Sequence, residues 1–526
     1  MSRSEVTFVL GTDQIGQAAT GNDFISGICL YGTAPGSFAT TAQQAVYSVS
    51  DAEAKGITLD YADETLARGI VTIVRGSTGD TVKIVVTEPN PVTTANPTGT
   101  TARTLCEYTQ AAGDTTDTLL AVSVVAAINA NSYLTATGTL TGYTATNSAG
   151  VITLIARQGI GIGLNSGTPI ATTVTGTLTA TITQQFGTGS GGATAGVYSK
   201  KSVWHYEVSE FFRGNATGVL WVGFTATPSA TYAEVVTLQN AANGACKQIA
   251  VFDPTVTSAA TFTSNGTILQ ARAVDMFAAY NPCIILYAAN IKAISDLSTL
   301  QNQQTKSNYY VSNVIMQDGA AAGAQLYINS GISITNVGCA LGTTSKAKVN
   351  QDIGEIGAFN ITDDTEMAVP AFANGQLVSA VASSLLNQLD SYRYLFATNQ
   401  PNISGTFIVN DWSNINATSP YYRISRNRTM NKAVRLIYAN IVLLLKSQIQ
   451  LNPDGTITQV SIAKFGGAII PVQTQMRNAD ELSNLRITIN PAQNIISEGK
   501  IVIGVAIQPT ITADFIQVNM SFVAKI

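Results

Sequence analysis

The closing 13 residues, Asp514 to Ile526, read as one unbroken β-strand. Ile516, Val518, Met520, Phe522, Ala524 and Ile526 fall on one face, with Gln517, Asn519, Ser521 and Lys525 on the other; only Val523 breaks the alternation. Period-two patterning marks a strand with one buried face. At about 3.3 Å per residue it spans roughly 43 Å, whereas an ordinary strand has about 5–6 residues. A long, apolar, proline-free strand at a chain end is an aggregation hazard unless another strand pairs with it. Strand addition to a neighbouring subunit meets that need, so the pattern predicts a chain that is stitched into a polymer.

Composition supports extensive contact. Charged residues make up 11% of the 526, against about 25% in ordinary soluble domains, and Thr, Ala, Asn, Gln, Ser and Gly replace them. Charged side chains are depleted in interface cores; adaptation of a soluble protein to an unusual environment is the alternative. The length predicts about two to four domains. A net charge of −4 gives no global signal for nucleic acid. The N-terminal Met1–Glu5 leads into a short strand, Val6, Phe8 and Leu10, with too short an apolar run for a signal peptide. No segment is apolar enough to cross a membrane; Leu436–Leu445, the best, is interrupted by Asn440. Five scattered cysteines, without CxxC spacing, read as small buried hydrophobes in a reducing cytoplasm.

Along the chain, residues 1–75 hold the N-terminal strand, a helix around 41–55 and a strand at 70–74. Residues 76–192 form a Thr-rich β domain: from Thr81 to Ser190 there are 28 Thr and 7 charged residues. It contains one helix, Asp117–Asn129, and its Gly187–Gly192 exit reads as a hinge. In residues 193–385 strands Val219–Phe224, Gln248–Phe252, Ile284–Tyr287 and Tyr309–Met316 alternate with helices near 232–243, 268–280 and 294–304. That alternation predicts an α/β layer with a largely parallel sheet, followed by a loop-rich connection. Residues 386–526 carry a long helix at Thr429–Gln448, then two hairpin-like strand pairs, the last joining Ile501–Ile507 to the closing strand.

Little catalytic chemistry is visible. His205, the single histidine, sits among aromatics in Val203–Glu207 and reads as structural. Gly159-Ile160-Gly161-Ile162-Gly163 lacks both GxGxxG spacing and a P-loop lysine and reads as a turn. The acids Asp352, Glu355, Asp363, Asp364 and Glu366 do not form an EF-hand pattern and read as a solvated loop. No cofactor and no metal are expected. One charge pattern stands out: Arg423, Arg426, Arg428, Lys432 and Arg435 fall within 13 residues, in a stretch from Trp412 to Pro453 without an acid. It is either a docking patch for an acidic partner or a solvated helix start with snorkelling side chains. Cations favour helix C-termini, which tilts the reading towards a partner.

The segment Asn427–Arg435 leading into a long helix, with Leu451-Asn452-Pro453-Asp454-Gly455 after it, resembles the tail-sheath proteins of contractile phages, particularly the Mu-like branch. Pro509–Ile516, where Ala513 and Asp514 precede Phe515 and Ile516, is similar to that family's closing strand motif. Trp204–Arg213 and Ala347–Gly354 resemble the same branch. The resemblance implies an α+β multidomain fold: a sheath-type core built from both chain ends, an α/β middle domain, and the Thr-rich β domain as a variable outer insertion. It implies no enzyme but a subunit that polymerises as stacked hexameric rings around a tail tube and contracts to drive the tube through a cell envelope. Implied partners are further copies of itself, the tail tube protein, and baseplate and tail terminator proteins, without nucleic acid or membrane insertion. The implied location is a virion tail or phage-like injection particle, assembled in the bacterial cytoplasm. Val6, Phe8, Leu10, Phe515, Ile516, Val518, Met520 and Phe522 become intersubunit strand arms, and Arg423, Arg426, Arg428, Lys432 and Arg435 candidates for tube contact. Rival readings are a surface-layer or fibre subunit, which should carry an export signal, and an α/β enzyme with a β insertion.

Overall fold

The computed structural model describes residues 22–93, 96, 98–131, 142–187, 192–493, 495 and 499–512. The arm residues Val6, Phe8, Leu10, Phe515, Ile516, Val518, Met520 and Phe522 lie outside the described residues. The molecule is a mixed α/β protein of several sheets.

Its body is a seven-stranded sheet in the order Tyr394–Leu395, Val311–Val314, Ile284–Ala289, Gln248–Asp253, Ile25–Tyr31, Val219–Thr225 and Gln43–Val46. The first six run parallel and the last antiparallel. Every residue of Gln248–Asp253 and Ile284–Ala289 is buried, which is why these strands read as continuous apolar runs rather than alternating ones. On one face the helices Lys200–Gly214 and Val337–Lys346 pack closely. Gly338 and Gly342 permit it: a Cβ there would stand 2.0 Å from the Glu207 carbonyl oxygen and 2.4 Å from that of Phe211.

The Thr-rich insertion has its own core, including Val82, Ile84, Leu120, Val124, Ile152 and Leu154. Two antiparallel sheets enclose it, one of Thr144–Ser148, Val151–Ile155, Arg68–Val74 and Thr179–Gln184, the other of Thr100–Thr109, Thr81–Pro89 and Ile170–Val174. The helix Asp117–Ala130 packs on them, with Thr116 accepting the Leu119 amide at its N-cap. Fully buried Glu88 binds Arg157 at 2.7 Å, Arg103 at 2.8 Å and the Tyr143 hydroxyl at 2.9 Å.

A third unit consists of the helices Ile424–Ile441 and Gln459–Asn478 and an antiparallel pair, Leu482–Ile489 with Ile503–Pro509. Its core is Ala433, Ile469, Val472, Met476, Leu482 and Leu485.

Several expectations change. The strand at 70–74 pairs with Val151–Ile155 and Thr179–Gln184, so it belongs to the insertion and not to the N-terminal segment. Ile25–Tyr31 lies in the middle of the α/β sheet, and Tyr394–Leu395 forms its edge, so the α/β body draws in both the 1–75 segment and the start of 386–526. The helix expected at 294–304 is two short 3-10 turns, Leu297–Thr299 and Gln303–Thr305. The helix expected at 429–448 runs from Ile424 to Ile441. Gln459–Asn478, where strands were expected, is a helix despite Gly466, Gly467 and Pro471; its buried Phe465, Ile469, Val472 and Met476 keep helical spacing. Ile503–Pro509 pairs upstream with Leu482–Ile489, and its expected partner, the closing strand from Asp514, lies outside the described residues.

Candidate assembly site

The basic run lies inside the Ile424–Ile441 helix, and three of its five cations are buried: Arg423, Arg428 and Lys432 are 1%, 2% and 5% exposed. A buried charge needs a partner, and this helix finds its acidic partners in four other parts of the chain, at Asp23, Asp352, Asp411 and Glu481. At its N-terminus one Asp411 oxygen accepts from Arg423 at 2.6 Å, while the other accepts the Ser425 amide at 3.0 Å and the Ser425 hydroxyl at 2.5 Å. Asp411 thus supplies the anion that a helix start favours, so the cations do not face the positive end of the dipole unopposed. Arg423 also pairs with Asp352 and lies 4.6 Å from the centre of the Trp412 ring. Burial and the neighbouring Asp411 push the Asp352 carboxyl up to about 7, although Arg423 opposes the shift.

One turn on, Arg428 donates only to backbone, to the carbonyls of Ala347 and Lys348 at 3.1 to 3.2 Å. Burial pushes its guanidinium down to about 10. Lys432 sits between Asp23 at 2.7 Å and Glu481 at 2.5 Å, and Arg435 reaches Asp23 at 3.1 Å and the Pro282 carbonyl at 3.3 Å. Arg426 is half-buried, 4.5 Å from the Tyr422 ring centre, with no acidic partner among the described residues.

The one-signed surface patch expected from sequence is therefore, for Arg423 and Lys432, a network of buried ion pairs, with Arg428 beside it held by backbone carbonyls. The network's acids Asp411, Glu481 and Asp352 come from 12, 49 and 71 residues away along the chain, and Asp23, shared by Lys432 and Arg435, from the far N-terminal side, 412 residues before Arg435. A run of cations inspected alone cannot show such partners. Arg426 stays half-exposed.

The network holds the roots of both terminal segments. Asp23 lies just after residues 1–21. At the other end Asn350 donates to the Asp480 carbonyl at 2.8 Å and to the Thr510 hydroxyl at 2.9 Å. Pro509, Thr510 and Thr512 line a narrow polar cleft with Asn350, Arg423, Ser425, Arg426 and Thr429. The sequence segments Asn427–Arg435, Ala347–Gly354 and the start of Pro509–Ile516 thus meet in one place.

Between the two roots lies the pair Leu482–Ile489 and Ile503–Pro509. Among the described residues it pairs with no third strand. Its inner side chains Ile487, Ile489, Ile503, Val505 and Ile507 are only half-buried against the helices. Two strands alone are marginal in water.

Catalytic groupings are scarce. His205 Nε2 lies 2.8 Å from Glu53 and its Nδ1 3.4 Å from Ser209, one turn along the same helix; the pair ties two helices together. Glu366 is not in a solvated loop: it accepts the Tyr206 hydroxyl at 2.5 Å and the Ala322 amide at 3.1 Å. Among the described residues no cluster of three His, Cys, Asp or Glu could hold a metal ion, and no helix is long and apolar enough to cross a membrane. All five cysteines are buried and unpaired, as their scatter implied. The Gly159–Gly163 segment is a turn, as expected.

No family model matches the chain, and no curated protein matches it. Among solved structures it is similar to a chain of the anti-feeding prophage baseplate, 6-fold symmetrised, at 12% identity and a TM-score of 0.41, over 60% of this chain and 80% of that one. It is similar at 11% identity and a TM-score of 0.40 to a chain of the PVC sheath complex of an extracellular contractile injection system in its contracted state, over 61% and 81%. A chain of the anti-feeding prophage baseplate in its contracted state gives 13% identity and a TM-score of 0.40, over 61% and 85%.

Proposed function

We propose that this chain is a structural subunit of a contractile sheath, which polymerises with copies of itself around a tail tube and shortens to drive the tube through a target envelope. The observation that carries this reading is the pair Leu482–Ile489 and Ile503–Pro509, half-packed and without a third strand among the described residues, set near the roots of two terminal segments whose sequences alternate as strands. Val6–Leu10 and Phe515–Phe522 of neighbouring subunits are the strands that complete it. Each added hydrogen bond contributes about 1 kcal/mol net, and each apolar side chain that becomes fully buried about 1.5–3 kcal/mol. The network around Lys432 fixes where the arms leave the body, so that subunits stay joined while the bodies rotate.

The tube contact is narrower than the sequence suggested. Of the five cations, Arg426 is the one we assign to it, with Arg423, Arg428, Lys432 and Arg435 as internal supports of the helix that presents it. Deleting residues 515–526 tests the reading: the variant should fold as a monomer and form no polymer, whereas wild-type-like polymers would overturn the arm assignment.

A further inference from the structure

The glycine run Gly159–Gly163 has a role that neither a phosphate loop nor an idle turn describes. The amides of Gly159 and Gly161 both point at the Glu64 carboxylate, at 2.7 and 2.5 Å. Successive amides turned to one side make an anion-binding concavity, and here the anion is the chain's own. Glu64 belongs to the neck of the insertion, where the incoming and outgoing chains are bridged at Thr65 with Val197 and at Arg68 with Thr194.

The opposite side of the loop rests on the body. The Ile162 amide donates to the carbonyl of Asn329 at 2.8 Å, and the Asn329 side chain donates to the Gly159 carbonyl at 2.7 Å. Asn329 is 6% exposed and ends the body helix Ala322–Ser330. Gly161 has φ +51, and a Cβ on it would stand 2.2 Å from the Asn329 carbonyl oxygen. Asn165 closes the joint by exchanging hydrogen bonds of 2.7 and 2.8 Å with Gly196 of the neck. Gly187, where the sequence suggested a hinge, is wedged with its absent Cβ 2.5 Å from the Asn165 backbone.

We propose that Gly159–Gly163, loaded by Glu64 and seated on Asn329, is a docking joint that holds the inserted domain to the α/β body in one fixed orientation. The insertion then turns with the body as a rigid unit, and any surface it presents is aimed by the body's rotation. Glu64 pulls the loop onto the neck, Asn329 pulls it onto the body, and the glycines allow the approach. The insertion keeps its own closed core, so undocking does not require unfolding it.

The test uses the full-length chain in solution, so it stands apart from whether the chain builds a sheath. Spin labels at Thr118→Cys, on the insertion, and Ala271→Cys, on a body helix, occupy exposed positions, and the native cysteines are buried. Double electron–electron resonance should give one narrow distance distribution in the otherwise native chain and a distribution at least twice as broad with Gly161→Val. Because that variant strains the loop itself, Asn329→Ala gives a second reading from the body side. Amide-exchange protection of Thr81–Pro89 within about threefold of wild type shows that the insertion is still folded in it. A broad distribution in the native chain, or an unchanged narrow one in Asn329→Ala, overturns the proposal.

Discussion

Replacing Lys432 by Met should loosen the closing pair of strands without unfolding the body. The ammonium is 6% exposed and is shared by Asp23 and Glu481. Removing one partner of a buried ion pair costs about 3–5 kcal/mol, because the remaining charge is left uncompensated. Asp23 keeps Arg435 at 3.1 Å, so the stranded group is Glu481, and the lower end, about 3 kcal/mol, applies. At 1.4 kcal/mol per tenfold, that is roughly a hundredfold faster opening. Amide hydrogen exchange of Leu482–Ile489 reads local opening directly, which matters in a chain too large for a single two-state transition. Burial already pushes the Glu481 carboxyl up, with Lys432 holding it down. Without Lys432 the carboxyl should protonate more readily, and the deficit relative to wild type should shrink as pH falls from 7 towards 5. Adding Glu481→Gln should restore most of the protection at pH 7. A change of less than threefold at pH 7, or a deficit independent of pH, would refute the argument that Lys432 neutralises the root of the strands.

Further outcomes follow from other buried groups. Burial pushes the Glu207 carboxyl up to about 8, with Glu210 adding to the shift and the Gly338 amide opposing it; its folded pKa is raised, so stability should fall as pH rises towards 8. The loss runs from about pH 4.5, where the unfolded carboxyl ionises, up to about 8, so Glu207→Gln, which keeps the acceptor for Gly338, should melt like wild type at pH 4 and progressively higher than wild type from pH 5 to pH 9 in calorimetry. Burial alone would raise the Glu88 carboxyl, but Arg157 and Arg103 outweigh it and hold it below its usual range. Its stabilising contribution is therefore present at neutral pH and lost as pH falls through the lowered value. Glu88→Ala takes the carboxylate from the Arg157 guanidinium, which is 15% exposed, and should cost the insertion about 3 kcal/mol, exposing it to proteolysis while the body stays protected; uniform protection of both would contradict the ion-pair account. Arg426→Glu should leave the monomer's melting temperature within a degree or two and abolish tube-bound assembly, and normal assembly around the tube would remove Arg426 from that role.

The sequence made the local rules visible and left the long-range ones hidden. Gln248–Asp253 and Ile284–Ala289 were legible as buried parallel strands because they centre on unbroken apolar runs, Ile249–Phe252 and Ile284–Leu286. Asp117–Ala130 was legible from Thr116 and its apolar run. Gln459–Asn478 was not, since Gly466, Gly467 and Pro471 oppose helix by local propensity and tertiary packing of Phe465, Ile469, Val472 and Met476 overrides them. The basic run stood out in the sequence as a one-signed patch, but its charges are set against Asp23, Asp352, Asp411 and Glu481, whose approach only the fold determines. The glycine run was read as a turn, and its amides cradle an anion, Glu64, nearly a hundred residues upstream. Signals of period two and period 3.6 survive in a single sequence, whereas charge partners across the fold do not.

The central claim is that neighbouring subunits complete the open strand pair and so build a polymer. Electron cryo-microscopy of the assembled protein tests it most directly. The account predicts hollow striated cylinders in which added strands from neighbouring copies lie along Leu482–Ile489 and Ile503–Pro509, with the Val6–Leu10 and Phe515–Phe522 sequences in them. Discrete monomers, or a polymer whose strand pair keeps both edges bare, would contradict it.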